Sequence, residues 1–256
     1  MASRTVNMDG ELYTLSEEGR EALFVSATIE RWLRDAPDGP IDFESAAAGR
    51  AVSALLGGWS AAVIHALAGE PMTSAELDAA IDGLGRRRLQ RQLRAMQGAG
   101  LIEALGEGGE ALYAMTDWLR RGIAPLIVAA RLERDQDMEG ATPVEGSDVE
   151  AGCRMALALV ELPEELSGLC SLRLRPDGRQ PDSRSGVTAR IERGEVVSCE
   201  AGVEQKADAW AFGSLDAWLD TLIDPNAMAV RTGGDAWLTD ALLSAIHHAL
   251  FGPLGS

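Results

Sequence analysis

The sequence predicts an α+β protein, with a mainly helical N-terminal half and a C-terminal half that combines helices with an antiparallel sheet. Three observations support this fold class. Apolar residues recur at helical spacing through most of residues 45–135, and only two short β segments interrupt this helical pattern. Strand-like segments dominate between residues 168 and 213. Residues 136–149, between the two patterns, are polar and contain glycine and proline, as interdomain linkers do.

These changes of pattern divide the chain into five parts. We predict a partial first unit with its linker over residues 1–44, a central domain over 45–135 and a linker over 136–149. A second domain is expected over 150–251, and residues 252–256 form a tail that we leave out of the fold. With 46% apolar residues the chain can bury a core, so its composition does not indicate global disorder.

Residues 1–44 contain a partial repeat of the central domain. Leu12–Glu17 aligns with Leu112–Asp117, and Ser16 and Thr116 stand where each copy would cap a following helix. Asp9-Gly10 is a typical hairpin turn between two β-prone stretches. The first copy begins at its hairpin, so its own leading helices would precede residue 1. We favour a fragment of a longer tandem protein over a first unit reduced to hairpin and helix.

The central domain is expected to begin with one long apolar helix, followed by a short helix. Ser45 can cap a helix that runs from about Ala46 into the apolar stretch Leu55–Leu67, which contains Trp59. Thr73-Ser74-Ala75-Glu76 has the spacing of a capping box at the start of a short helix, Thr73–Ile81. Glycines on either side of Leu84 then predict a tight turn into the next helix.

A basic helix and a hairpin complete this domain. The helix Arg86–Gln97 places Leu89, Leu93 and Met96 on one face, and the β segments Leu101–Leu105 and Ala111–Met115 flank a glycine-rich turn. Helix, helix–turn–helix and β-hairpin in this order are typical of a winged helix, a fold most often used to read double-stranded DNA.

The predicted DNA contacts lie on the two helices of the helix–turn–helix. Arginine can pair with guanine edges or with phosphates when the N-terminal part of the second helix enters the major groove. A solvated basic face that offsets acidic neighbours is the alternative interpretation of the same charge run. The candidate DNA-binding residues are Thr73, Ser74, Arg86, Arg87, Arg88, Gln90, Arg91 and Arg94.

The central domain is similar to winged-helix regulators of the HxlR type. The similarity depends on four motifs in a fixed order: L-L-G-G-W, S-x-E-L, L-x-x-x-L-x-x-M-x-x-x-G-L-I and L-Y-x-x-T. The resemblance covers residues 50–134 closely and residues 10–36 in part. It implies a homodimer formed through terminal helices, for which Trp118–Glu133 is the candidate. One departure is that the hairpin between Ile102 and Tyr113 has three glutamates and no basic residue, so it cannot hold phosphates.

The C-terminal pattern predicts a helix over Glu150–Glu161, several strands and two further helices, Leu215–Ile223 and Ala236–Leu250. Residues 150–251 are similar to a sterol-carrier-protein-type domain. The similarity depends on three motifs, A-D-A-W-A-x-G-S, W-L-D-T-L-I and V-R-T-G-G-D. That resemblance implies an apolar cavity for a lipid-like or flat hydrophobic molecule. The candidate lining residues are Trp210, Trp218, Met228 and Trp237, although such side chains at these spacings also occur as plain core.

Charge and chemistry limit the functions open to the chain. The net charge is −17, yet residues 46–136 carry ten Arg and ten Asp or Glu, so any DNA-binding surface must be local.

The three cysteines are widely spaced, which predicts reduced structural thiols. His65 is expected in a core or interface, and His247 and His248 point to different faces of one helix. No catalytic motif occurs, so we expect no enzyme, cofactor or metal site.

The sequence therefore predicts a bacterial transcriptional regulator that binds operator DNA and senses a hydrophobic small molecule through its C-terminal domain. A small-molecule binding or sequestering protein that has lost DNA binding is the alternative, and a dimeric interaction scaffold is a third possibility. The N-terminus lacks the apolar region of a signal peptide, which predicts a cytoplasmic protein with no membrane partner.

Overall fold

A computed structural model describes residues 5–8, 11–56, 60–106, 111–135, 146–175, 186–227 and 229–252. The fold is mixed α+β, as the sequence predicts, with helices more abundant than strands. Among these residues no single helix is long and apolar enough to cross a membrane. Only the pair Ala46–Leu56 and Ser60–Leu67 reaches that length and composition when taken together, and this pair is bent by 67°.

The N-terminal hairpin and the first helix follow the repeat seen in the sequence. Strands β1 (Thr5–Met8) and β2 (Glu11–Thr14) pair antiparallel, with Met8 opposite Glu11. The predicted turn at residues 9–10 lies outside the described residues. Helix α1 (Glu17–Arg34) begins where Ser16 Oγ accepts a hydrogen bond of 3.1 Å from the backbone N–H of Gly19, which confirms the predicted cap.

The helix predicted to run without interruption from Ala46 through Leu67 is two helices, α2 (Ala46–Leu56) and α3 (Ser60–Leu67). The Ser60 hydroxyl, fully buried, donates to the Ala54 carbonyl at 2.5 Å. This bond satisfies one of the carbonyls that the end of α2 leaves without a partner in the helix. Trp59 lies outside the described residues.

Next along the chain is a small sheet with two helices inserted between its strands. Strand β3 (Met72–Thr73) precedes α4 (Ser74–Ala80) and α5 (Arg86–Gly98), and β4 (Ile102–Leu105) pairs with β5 (Leu112–Met115). The strand order is β3-β5-β4, all antiparallel. The predicted capping box is confirmed, because the Thr73 side chain accepts from the Glu76 N–H and the Glu76 carboxylate accepts from the Thr73 N–H.

The helix predicted over Trp118–Glu133 is divided into α6 (Asp117–Arg121) and α7 (Ile123–Asp135). The Gly122 N–H bonds to the carbonyls of both Trp118 and Leu119, which marks the end of α6. A Cβ at this position would lie 2.9 Å from the Leu119 carbonyl oxygen, so the break packs too tightly for a larger residue. Pro125 is tolerated because it falls in the first turn of α7, where its missing N–H costs nothing.

The C-terminal half is a five-stranded sheet with helices on one face. Its elements are α8 (Gly146–Leu157), β6 (Gly168–Arg175), β7 (Gly186–Glu192), β8 (Glu195–Ala201), β9 (Ala209–Ser214), α9 (Leu215–Ile223), a 3₁₀ helix at Pro225–Ala227, β10 (Arg231–Gly234) and α10 (Ala236–Phe251). Helix α8 begins and ends four residues before its predicted bounds, Glu150 and Glu161.

The sheet is mixed, whereas the sequence predicted an antiparallel one. The strand order is β10-β9-β6-β7-β8, and β6 pairs with β9 in parallel with Cys170 opposite Ala209. Strands β7 and β8 occupy one side of β6. The chain then crosses back over the sheet through residues 202–208, where the Glu204 carbonyl accepts from Ser171 Oγ at 3.1 Å, and it enters β9 in the direction of β6.

Two apolar cores interlock at α7 and α8. The first core contains Trp32, α2 to α5 and Trp118, and it also receives Met155 from α8. The second lies under the five-stranded sheet, and Ile127 and Val128 of α7 belong to it. Each of these two helices therefore packs into the half of the molecule beyond its own, and the two halves share a continuous contact.

Candidate functional site

Helix α5 is held by one buried face. Leu89, Leu93 and Met96 are at most 1% exposed, which confirms the predicted apolar face. The turn before α5 needs a left-handed residue, since Gly85 at its N-cap has φ +72°. This glycine provides no side-chain cap, so the first backbone N–H groups of α5 have no side-chain acceptor from their cap residue.

The remaining surface of α5 is basic and exposed. In the described part of the chain, none of its five arginines forms an ion pair within 4.0 Å. Gln90 is also exposed. The positive end of the helix dipole lies at the same end as three of the guanidinium groups, so both favour an anion there. We call this group the arginine cluster: Arg86, Arg87, Arg88, Arg91 and Arg94.

The candidate DNA-binding residues at the start of α4 are less accessible to DNA than those of α5. Thr73 is half-buried, and its hydroxyl donates to the Glu76 carboxylate at 2.8 Å within the capping box. Two hydrogen bonds from Thr73, the larger effect from its backbone N–H, lower the pKa of Glu76. Ser74 is half-buried too, so of these two positions neither presents a free, fully exposed hydroxyl.

The described part of the β4–β5 hairpin offers no cation. Glu103 is exposed, and Leu105 and Leu112 are 44% and 38% exposed. Residues 107–110 at the turn lie outside the described part, and two of them are the glutamates Glu107 and Glu110. A DNA phosphate near this hairpin would meet carboxylate and apolar groups.

The tryptophans predicted to line a ligand pocket do not converge. Trp218 is 1% exposed within the core, and its indole N–H donates to the Arg173 carbonyl at 2.9 Å. Trp210 alternates with the buried Ala209 and Ala211, so it lies on the opposite face of the sheet, with the Arg173 guanidinium 5.8 Å from its ring centroid. Trp237 is 56% exposed, and Met228 lies outside the described residues.

A separate cavity of about 380 Å³ lies where the two halves of the molecule meet. We call it the junction cavity. Helices α2 and α3 form one wall, α7 a second, and α8 and α9 the remainder. Of the three predicted pocket residues that the structure describes, Trp218 alone lines it. Its apolar lining includes Leu55, Ile64, Leu126, Val149, Trp218 and Leu222.

Among the described residues, one histidine and two carboxylates line the junction cavity. His65 Nε2 lies 2.7 Å from Asp148 Oδ1, with side chains 32% and 38% exposed. Glu133 is half-buried, and no partner for its carboxylate occurs within the described part of the chain. Sequence reasoning missed this group because its members are far apart in the chain. The sequence does contain one sign of this group, because His65 is the only ionisable residue in the apolar run Val63–Leu67.

The cysteine thiols of the C-terminal half lie in buried positions at Cys153 and Cys170 and in a half-buried position at Cys199. Burial raises the pKa of Cys153 and of Cys170 to about 12, and that of Cys199 to about 11. All three are free. Cys153 lines the junction cavity, where a protonated thiol acts as a small apolar group.

The two remaining histidines are neighbours on α10 and differ in burial. His247 is buried and its Nδ1 lies 3.1 Å from the Leu222 carbonyl, whereas His248 is exposed. They face a wide groove of about 840 Å³ between α1 and α10, which also carries Arg31, Arg121 and Glu161. Within the described ranges no three His, Cys, Asp or Glu side chains are grouped to hold a metal ion.

No model of a protein family matches the chain, and neither a curated protein nor a solved structure matches it.

Proposed function

We propose that this chain is a winged-helix transcriptional regulator of the HxlR type, which binds double-stranded DNA through the arginine cluster of α5 and responds to a hydrophobic small molecule. The observation that carries the proposal is the set of five exposed arginines on a helix whose other face is buried, none of them with an ion-pair partner among the described residues. Single exposed arginines also occur elsewhere on the surface, but here five lie along one helix. Exposed guanidinium groups along one helix suit phosphate and guanine contacts instead.

The order of elements around α5 supports this function. Helix α3, strand β3, helices α4 and α5, and the β4–β5 hairpin follow one another as the parts of a winged helix do. The sheet order β3-β5-β4 places the hairpin beside the helix pair. In that arrangement α5 occupies the position of the recognition helix, with its N-terminal residues toward the major groove.

The net charge of −17 determines how such binding would behave. At physiological salt, charges more than about 8 Å apart are largely screened, so the acidic surfaces slow the approach to DNA more than they weaken the final contact. Binding would then be weak on random sequence and would fall steeply with added salt. A homodimer that places two copies of α5 about 34 Å apart would compensate by reading two half-sites.

The test is a fluorescence anisotropy titration with duplexes that the full-length protein selects from a random library. The triple variant Arg86→Ala, Arg87→Ala, Arg88→Ala is expected to weaken binding by at least about 30-fold. A matched control, Arg50→Ala, Arg175→Ala, Arg231→Ala, removes the same charge from exposed positions elsewhere and should change the affinity by less than about threefold. Equal losses in both variants, or no selected duplex, would overturn the proposal.

A second function, small-molecule binding without DNA binding, is favoured by the acidic hairpin and the junction cavity. Glu103 repels phosphate at a position where winged helices often bind it, and the junction cavity is lined mainly by apolar side chains. The two functions differ in one measurement. A protein that binds an apolar ligand but selects no duplex at about 50 mM salt has this second function.

A further inference from the structure

We propose that the junction cavity is a binding site for lipophilic cations, that is, apolar molecules that carry one positive charge. The proposal deepens the proposed function by naming the ligand class and by placing its site between the two halves of the molecule. The shape of the cavity, the charges that line it and the helices that form its walls support this assignment.

The size and lining of the cavity select a small apolar molecule. A volume of about 380 Å³ lies within the range of small-molecule sites, which is roughly 300–1,000 Å³. Aliphatic side chains and the ring of Trp218 form most of its surface. A ligand with a large polar part would leave its hydrogen-bonding groups unsatisfied against these walls.

The charges that line the cavity select a cation. Glu133 and Asp148 supply two carboxylates, and His65, already engaged with Asp148, is the only basic side chain among the described lining residues. The half-buried Glu133 has no compensating partner within the described residues. A half-buried, unpaired carboxylate beside apolar walls is costly, and a bound cation would remove that cost. An anionic ligand would instead be repelled by the carboxylate of Glu133.

The walls connect the cavity to the arginine cluster. Ser60, at the start of α3, accepts a hydrogen bond of 2.7 Å from Gln92 of α5, and Ala61 in the next position lines the cavity. On the other side, the cavity is closed by α8 and α9 of the C-terminal half. A ligand that separates these walls moves α3 relative to α9, and α5 is bonded to α3. Ligand binding is therefore expected to change DNA affinity.

The experiment compares tetraphenylphosphonium with tetraphenylborate, two ions of the same shape and opposite charge, by isothermal titration calorimetry on the full-length protein. The cation should bind with one-to-one stoichiometry and at least about tenfold more tightly than the anion. Glu133→Gln, which keeps the shape of the side chain, should reduce the affinity for the cation about tenfold. Glu195→Gln, on exposed β8, is the matched control and should leave it unchanged.

A second variant tests the location independently of charge. Ala129→Leu adds volume to a half-buried position of the cavity wall and should reduce the affinity for both ions. Circular dichroism checks that each variant is folded. Equal affinity for the two ions, no saturable binding of the cation, or an unchanged affinity in a folded Glu133→Gln variant would each overturn the proposal. Since calorimetry is performed without DNA, these outcomes do not depend on whether the chain binds DNA.

Discussion

The indole N–H of Trp32 donates to the carbonyl of Trp118 at 2.9 Å, and the indole N–H of Trp118 donates to the carbonyl of Trp32 at 2.7 Å. The two rings stack with centroids 4.6 Å apart and an interplanar angle of 11°. Both side chains are buried, so each bond satisfies two groups that water cannot reach. This reciprocal pair joins the end of α1 to α6.

Trp32→Phe should therefore destabilise the protein by about 2–3 kcal/mol, because it removes one hydrogen bond and leaves the Trp118 carbonyl buried without that donor. Urea unfolding followed by circular dichroism measures the loss. Trp237→Phe, at a position 56% exposed, is the control and should cost less than about 0.5 kcal/mol. A Trp32→Phe variant as stable as the control would contradict the role assigned to the pair.

Two ion pairs join α7 to α9, and the pair formed by Asp216 should make stability depend on acid pH. Arg131 Nε lies 2.6 Å from Asp220 Oδ1, and Arg134 binds Asp216 through two nitrogens at 2.5 and 3.1 Å. The hydrogen bond from Arg134 lowers the pKa of Asp216. A carboxyl whose pKa is lowered on folding stabilises the protein above its unfolded pKa, about 3.9, and loses that contribution as the pH falls through the folded value.

Arg134→Ala should accordingly cost under about 1 kcal/mol at pH 7, because Asp216 is half exposed and solvent screens the pair. The difference from the unmodified protein should shrink as the pH falls below about 3.9 and through the lowered pKa of Asp216, since that carboxyl becomes protonated in both proteins. Urea unfolding at each pH provides the measurement. Arg50 forms no ion pair among the described residues, so the stability difference between Arg50→Ala and the unmodified protein should not change over this pH range.

Local features of this fold could be predicted from the sequence because their causes are local. The buried face of α5 follows from the spacing of Leu89, Leu93 and Met96, and the cap at Thr73 needs only Glu76 three residues later. Exposure of the arginine cluster follows from the same periodicity. These predictions need no knowledge of what lies on the far side of the helix.

Features set by distant contacts could not be predicted in the same way. The break at Gly122 is packed against Trp32, which comes from another helix. The parallel pairing of β6 and β9 leaves the alternation of Cys170, Leu172 and Leu174 unchanged, so the residue pattern contains no sign of it. The junction cavity escaped prediction for the same reason, since its walls come from five helices of both halves.

Two glycines should respond in opposite directions to alanine. Gly49 lies inside α2 with open space at the position of its Cβ, so Gly49→Ala should stabilise the protein by about 0.5–1 kcal/mol. Gly186 has φ +142°, and a Cβ there would lie 2.2 Å from the Leu172 carbonyl oxygen on the paired strand. Gly186→Ala should cost about 3 kcal/mol or more. Thermal unfolding of both variants in parallel checks the signs, and a stabilised Gly186→Ala would contradict the register of β6 and β7.

The thiols should be unreactive in the folded protein. With pKa values raised to about 11 or 12 by burial, Cys153, Cys170 and Cys199 remain protonated at pH 8, and the thiolate is the reactive form. An aromatic disulfide reagent should therefore label them slowly, beginning with the half-buried Cys199. In denaturant all three should react at once. Rapid native labelling of Cys153 would show that the junction cavity admits the reagent and that the thiol ionises there.

The acidic hairpin gives the last prediction, which concerns DNA binding itself. Glu103 is exposed on β4, where a winged helix would approach a phosphate. Glu103→Arg should tighten binding to a selected duplex about fivefold or more, and it should steepen the salt dependence by about one released counterion. Glu195→Arg changes the net charge equally on exposed β8 and serves as the control. Anisotropy titrations over a range of salt measure both quantities. If the two variants tighten binding alike, the effect is one of total charge, and the hairpin does not lie beside the DNA.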